Sequence, residues 1–233
     1  MRYLLAALAL STIGFSAPAA ADNSVVVVEL YTSQGCSSCP PADDILAEIA
    51  DRDNVIALGL HVDYWDYLGW KDELAKPEFA ERQARFNTLM KSRYRLVTPQ
   101  MIFNGEHYVA GPNRRKALMY IEMMSAATEP VNMTLSRDGG SLEIKLSAKG
   151  GKSAPSEIHV VGYAPKIPVK IKRGENAGRN IEYVNTVTSW ETIAAWDGVG
   201  ARTLRHDLPS EDKYAVIVQT QNLGPVLVAR RLD

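Results

Sequence analysis

The sequence predicts a mixed α/β chain in two parts, a βαβαββα unit over residues 22–129 and an all-β, sandwich-like unit over residues 130–233. Three observations carry this reading. Up to about residue 127, β-branched apolar runs alternate with segments of helical periodicity. After Pro130, strand-like segments recur at short intervals, separated by turn residues such as Asp138-Gly139-Gly140 and Asn222-Leu223-Gly224-Pro225. No low-complexity linker separates the two parts, so they are expected to pack together. A chain of 233 residues can bury a substantial core as one large domain or two small ones.

Residues 1–21 come first. Arg2, an apolar stretch over 4–15 and the small-residue run over 17–21 have the order of a secretory signal peptide, with cleavage expected between Ala21 and Asp22. The apolar stretch is well short of the roughly 20 residues that span a bilayer, and no later segment is long enough. The expectation is a soluble protein in a bacterial periplasm or secreted, where cysteines can form a disulfide.

Residues 25–31 form a β-branched run suited to a buried strand. A helix over 41–50 follows, with Ile45, Leu46 and Ile49 on one face, then a second apolar strand over 55–62. A polar and aromatic connection over 61–70 leads to a helix over 78–94. Residues 101–103 and 107–110 flank Asn104-Gly105, a strong hairpin signal. A third helix over 113–127 turns Leu118, Ile121 and Met124 inward. Eight strands are then expected, over 131–136, 142–147, 157–163, 169–173, 181–189, 201–205, 214–219 and 226–230.

The formal charge is −1, without Lys/Arg blocks or acidic tails, so neither nucleic acid nor a membrane surface is expected as a partner. No GxGxxG, P-loop, G-x-S-x-G or HExxH pattern is present. Only two cysteines occur, in Gly35-Cys36-Ser37-Ser38-Cys39-Pro40, where the first strand hands over to the first helix. A helix start stabilises a thiolate through its dipole and unpaired N–H groups. Without a second cysteine pair, a zinc site with four cysteine ligands is out of reach. Redox chemistry or a two-thiolate metal site remain. A purely structural disulfide is the plainer alternative, but closing so short a loop removes little chain entropy.

The topology, with C-x-x-C after the first strand and an X-Pro before the third, resembles the thioredoxin fold. More closely, YTSQGCSSCPPAD, HVDYWDYLGWKD, VTPQMIFNG and RGENAGRNIEYVNTVTSW resemble the exported bacterial family DUF1223 across essentially all of residues 22–233. This resemblance implies a thioredoxin-like N-terminal domain and no particular reaction. In that topology Cys36 and Cys39, residues 61–65 and Thr98-Pro99 converge on one edge. Pro99 matches the cis-proline position, and the backbone of Thr98 would pair with an extended substrate peptide. Cys36 is implied as the exposed nucleophile and Cys39 as the buried resolving thiol. The chain departs from thioredoxin in lacking a Trp before Cys36. Pro40-Pro41 also follows Cys39, which is expected to leave Cys39 and Pro40 outside the helix and Pro41 at its first position.

Around this pair, His61 is either a core-edge histidine or a group tuning the thiolate. Asp63 and Asp66 are surface charges, caps or proton carriers. Tyr64, Trp65, Tyr67 and Trp70 either rim a substrate site or cover core. Met119, Met123 and Met124 share a helix, where methionine is usually core filler. Residues 173–180 read as a solvated hairpin turn; folded against the cysteine edge, they would gate access. Three functions stay open. One is thiol–disulfide exchange with protein thiols or disulfides, requiring no cofactor. Another is Cu(I) handling by Cys36, Cys39 and His61, since Cu(I) favours soft ligands. The last is a binding module with a structural disulfide.

Overall fold

A computed structural model describes residues 24–209 and 213–232, so the predicted signal segment lies outside the described residues. The elements run β1 (Val26–Thr32), α1 (Pro40–Ala50), β2 (Val55–His61), α2 (Pro77–Leu89), β3 (Gln100–Phe103), β4 (His107–Ala110) and α3 (Arg114–Ser125). They continue with β5 (Val131–Asp138), β6 (Ser141–Lys152), β7 (Ser156–Lys170), β8 (Asn180–Trp196), β9 (Val199–Asp207), β10 (Lys213–Thr220) and β11 (Val226–Leu232). A 3-10 turn, Asp66–Leu68, interrupts the connection between β2 and α2.

Strands from both sides of residue 130 share one mixed sheet of eight strands, ordered β11-β10-β7-β8-β2-β1-β3-β4. β1 is parallel to β2 and antiparallel to β3. The two halves of the sheet meet where β8 runs parallel to β2 at a single register pair, Gly59 with Thr186. Asn185 supports that junction by donating to the Ala57 carbonyl at 3.0 Å. A second sheet has the order β5-β6-β9.

Period-2 alternation assigns each face of the large sheet. Val26, Val28 and Leu30 of β1 meet Ile45, Leu46 and Ile49 of α1 and Ile121 of α3. Val27 and Tyr31 face the other way, toward Phe79 and Phe86 of α2, in a cluster that continues across the sheet to Val161, Ala215, Ile217 and Ala229. On the α1 side, Val160, Tyr214, Val216 and Val228 pack on Val131, Leu142, Ile144 and Leu146 of the small sheet. One face is therefore covered by helices over one half and by a second sheet over the other.

The structure corrects three sequence expectations. The strand expected over 169–173 is not separate; β7 runs to Lys170 and pairs with β8 as far as Asn180, so seven strands follow residue 130 among the described residues. Pro165 and Pro168 lie beyond the stretch of β7 that pairs with β10, where a missing N–H is tolerated. Helix α2 ends at Leu89 rather than near Tyr94. Its end is a Schellman motif: Ser92 N–H donates to the Asn87 carbonyl at 2.8 Å and Lys91 N–H to that of Thr88 at 3.2 Å, with Lys91 at φ 49°. Lysine stands where glycine normally announces such a stop. The third correction concerns the start of α1.

Candidate active site

Pro40 is the first residue of α1, one earlier than expected, and Cys39 is its N-cap in a helical conformation (φ −77°, ψ −39°). Residues before proline avoid that conformation, but the preceding turn holds it here. Cys39 N–H donates to the Cys36 carbonyl at 3.2 Å, and the Cys39 carbonyl accepts from Ala42 and Asp43 at 2.8 and 3.1 Å. Cys36 and Cys39 form a disulfide across this turn, with Cα atoms 5.4 Å apart. Ser37 and Ser38 between them are exposed. Cys39 is fully covered; Cys36 is only 4% exposed, so the open nucleophile expected from sequence is roofed in the disulfide state.

The roof comes from far along the chain. The tip joining β7 to β8 folds over the turn, and Asn176 Nδ2 donates to the carbonyls of Gln34 at 3.0 Å and Cys36 at 2.9 Å. Ser37 N–H donates to Glu175 at 3.3 Å. Asn176 is buried, and its Oδ1 has no donor. Gly174, at φ 76°, sits so close to Trp70 that a Cβ would lie 3.1 Å from the Trp70 Cβ, which favours glycine twice over. Trp70 Nε1 in turn donates to the Gln34 side chain at 2.7 Å.

Beside the turn, Gly35 abuts Trp65, where a Cβ would meet the Trp65 Cβ at 3.1 Å. Trp65 Nε1 donates to Thr98 Oγ1 at 2.7 Å, which ties the 97–99 segment to the cysteine edge. The Thr98–Pro99 peptide bond is cis. A buried amide network steadies that segment: Gln83 Nε2 donates to the Val97 carbonyl and to Gln100 Oε1, and Gln100 and Asn87 exchange bonds. Tyr67 stacks on Trp65 at 6.2 Å between centroids and is 76% exposed.

Below the disulfide lies a buried polar cluster. Alternation turns Thr32 of β1 and its register partner His61 of β2 toward α1. His61 Nδ1 pairs with Asp72 Oδ2 at 2.7 Å, both residues being buried. The same Asp72 oxygen accepts from Gln34 N–H at 2.8 Å, and its Oδ1 accepts from Leu74 N–H at 3.0 Å. The Tyr183 ring meets His61 edge-on at 4.5 Å. Asp43 on α1 completes the cluster. Its burial outweighs the favourable charge of His61 and lifts its carboxyl from 3.8 to about 7. Tyr183 Oη has no hydrogen-bond partner among the described residues, while the Thr32 hydroxyl bears on the Asp43 carboxyl and offsets part of the effect of its burial.

A family model described as "Protein of unknown function (DUF1223)" matches residues 27–221, which takes in every element of this site. The chain belongs to the DUF1223 family. A crystal structure of an Agrobacterium tumefaciens protein is 29% identical, with a TM-score of 0.78 over 91% of this chain and 96% of that one. HBP35 of Porphyromonas gingivalis shares the fold at 15% identity, with a TM-score of 0.59 over 90% of this chain and 75% of that one. No curated protein matches.

This DUF1223 chain brings Cys36, Cys39, Trp65, Thr98 and Pro99 together at one edge, and His61 connects to the cysteine turn through Asp72, which accepts from Gln34 N–H. Asp63 contributes its carbonyl to the turn before the 3-10 segment, accepting from Asp66 N–H at 3.0 Å. Asp66 Oδ1 accepts from Asp72 N–H at 3.0 Å, and burial raises its pKa. The Asp66 side chain thus clamps the loop, while Asp63 takes part through its main chain. The methionines divide: Met124 is core, while Met119 and Met123 are exposed. Among the described residues no group of three or more His, Cys, Asp or Glu is placed to hold a metal. Sequence reasoning missed Asp43 and Asp72 as site residues, whereas Asn176 lies in the 173–180 segment for which folding against the cysteine edge was one of two expectations. Only Asp43 carried a signal, a carboxylate on the helix face shared with Leu46 and Ala50.

Proposed function

We propose that this DUF1223 protein carries out thiol–disulfide exchange through Cys36 and Cys39, on a thioredoxin-like unit formed by β1 to α3. The observation that carries the reading is the Cys36–Cys39 disulfide at the start of α1, with Cys39 as its N-cap. The sheet order β2-β1-β3-β4, with α1 following the first strand, supports the thioredoxin-like reading. A helix start lowers the free energy of a thiolate, and Cys36, outside the first turn, retains the pair's residual exposure.

In the reducing direction, the Cys36 thiolate attacks one sulfur of a substrate disulfide, forming a mixed disulfide and releasing the other substrate sulfur as a thiolate. Cys39 then gives up its proton and attacks Cys36 Sγ. The Cys36–Cys39 bond forms, the bond to substrate breaks, and the second substrate thiolate leaves. Two electrons pass from the cysteine pair to the substrate disulfide; the oxidising direction is the reverse. Trp65 and Tyr67 flank the docking edge beside Thr98, whose backbone is suited to pair with an extended peptide. A disulfide fits an oxidising compartment, which supports the exported location predicted from residues 1–21.

The test is trapping in cell extract. With Cys39→Ser, the substrate stays attached through Cys36 and runs as a mixed disulfide on a non-reducing gel; with Cys36→Ser it does not. Equal trapping by both variants, or by neither, overturns the reading.

A further inference from the structure

The large sheet ends at β4, and that end is open. β4 pairs with β3 on one side, from Gln100 with Ala110 to Phe103 with His107, and is the last strand of the sheet. In an edge strand, alternate N–H and C=O groups point away from the sheet. Those of β4 have no backbone partner among the described residues. The strand also carries no Lys, Arg or Pro of the kind that shields an edge.

A cleft runs along this edge, and its walls come from opposite faces of the sheet. Alternation sends His107 and Val109 toward α3, where His107 stacks on Tyr120 at 4.7 Å and Val109 joins the cluster around Ile121. Tyr108 points to the other face, where it and Met90 pack against the cluster of Phe79 and Phe86. A cleft walled from both faces has the strand edge as its floor, a shape that receives an added strand.

Each wall carries a cation held only against an aromatic ring. Lys116 Nζ lies 5.5 Å from the Tyr120 centroid, and the Arg93 guanidinium 4.6 Å from that of Tyr94. Both side chains are exposed, and neither has an ion-pair partner among the described residues. Arg114, two residues before Lys116, is by contrast bound to Glu48 through two nitrogens. Glu106, exposed at the hairpin turn, is the one carboxylate lining the cleft among the described residues.

We propose that the β4 edge binds an acidic, extended segment of a partner protein by strand addition. The proposal is independent of the exchange reaction. Neighbouring side chains of an added strand point to opposite faces, so two adjacent carboxylates reach Lys116 on one wall and Arg93 on the other. Backbone bonds to β4 supply affinity, and the acidic pair supplies selectivity. A second copy of this chain is a poorer occupant, since pairing β4 with β4 about a two-fold axis brings the cations of both copies into one cleft.

The probe is a fluorescein-labelled octapeptide of threonine and valine with a central aspartate–glutamate pair, titrated into the purified protein and followed by anisotropy. It should bind saturably, and the amides of residues 107–110 should gain protection from hydrogen exchange. Replacing the acidic pair by lysines, or N-methylating the four central amides to remove the donors on both peptide edges, should abolish binding. Lys116→Glu with Arg93→Glu, both at exposed positions, should weaken it by at least about tenfold. No saturable binding up to about 1 mM would overturn the proposal. So would equal binding of the N-methylated peptide, equal displacement by a single-stranded oligonucleotide of the same charge, or sedimentation showing a dimer whose β4 amides are already protected.

Discussion

Asn176 and Cys36, 140 positions apart in sequence, are joined by a 2.9 Å hydrogen bond from the Asn176 amide to the Cys36 carbonyl. A second bond from the same amide reaches Gln34 at 3.0 Å. The β7–β8 tip thus closes over the cysteine turn through a side chain whose partners are backbone atoms, so the contact does not depend on which residues occupy the turn.

Removing that amide should loosen the roof. Each hydrogen bond contributes about 0.5–1.5 kcal/mol net, so Asn176→Ala should raise the open population of the tip by about tenfold. Alkylation of reduced protein by iodoacetamide near neutral pH should accelerate at Cys36 by a similar factor, read by mass spectrometry. An unchanged rate would show that the tip does not limit access.

Asp43 gives a pH signature in stability. Its folded-state value, raised from 3.8 to about 7, means that the folded protein holds a proton that the unfolded chain has released across that window. Stability from this group is therefore highest at low pH, declines as pH rises from about 4 to 7, and stays reduced above. Asp43→Asn should stabilise the oxidised protein by up to about 4 kcal/mol at pH 8 and by almost nothing at pH 4. Urea unfolding at the two pH values checks this; an equal effect at both would contradict it.

Glu29 and Arg82 form a two-pronged pair at 2.7 and 2.8 Å, nearly enclosed between β1 and α2. Arg82 also lies over the Trp190 ring at 3.9 Å and the Phe86 ring at 4.9 Å. Glu29→Leu alone leaves a buried guanidinium uncompensated and should lower stability by about 3–5 kcal/mol, while Glu29→Leu with Arg82→Met should recover most of the loss. Chemical denaturation of the single and double variants decides; a double variant no better than the single would contradict this account.

The legible parts of this fold were those written in local patterns. β1 and β2 read as continuous apolar runs because both faces are buried, and the β3–β4 hairpin was announced by Asn104 and Gly105, both at positive φ (45° and 72°). The joining of β8 to β2 left no such mark, since it rests on one register pair and a side-chain bond from Asn185. The end of α2 was hidden because Lys91 fills the left-handed position usually given to glycine. At the site, the C-x-x-C and Thr98-Pro99 were readable as motifs. The 173–180 segment that carries Asn176 was readable only as one of two alternatives, and Asp72 was not readable, because its bonds to the His61 side chain and the Gln34 N–H are contacts that sequence spacing does not encode.

The central claim is that the Cys36–Cys39 bond is a working redox couple, and its equilibrium with a reductant tests this most directly. The native protein would be equilibrated in dithiothreitol and glutathione buffers of graded potential, quenched in acid, alkylated, and its two thiols counted by mass spectrometry. The account predicts a single two-electron transition between about −270 and −120 mV, the range spanned by exchange proteins. A disulfide that stays closed until the buffer is below about −300 mV would mark it as a structural staple and contradict the account.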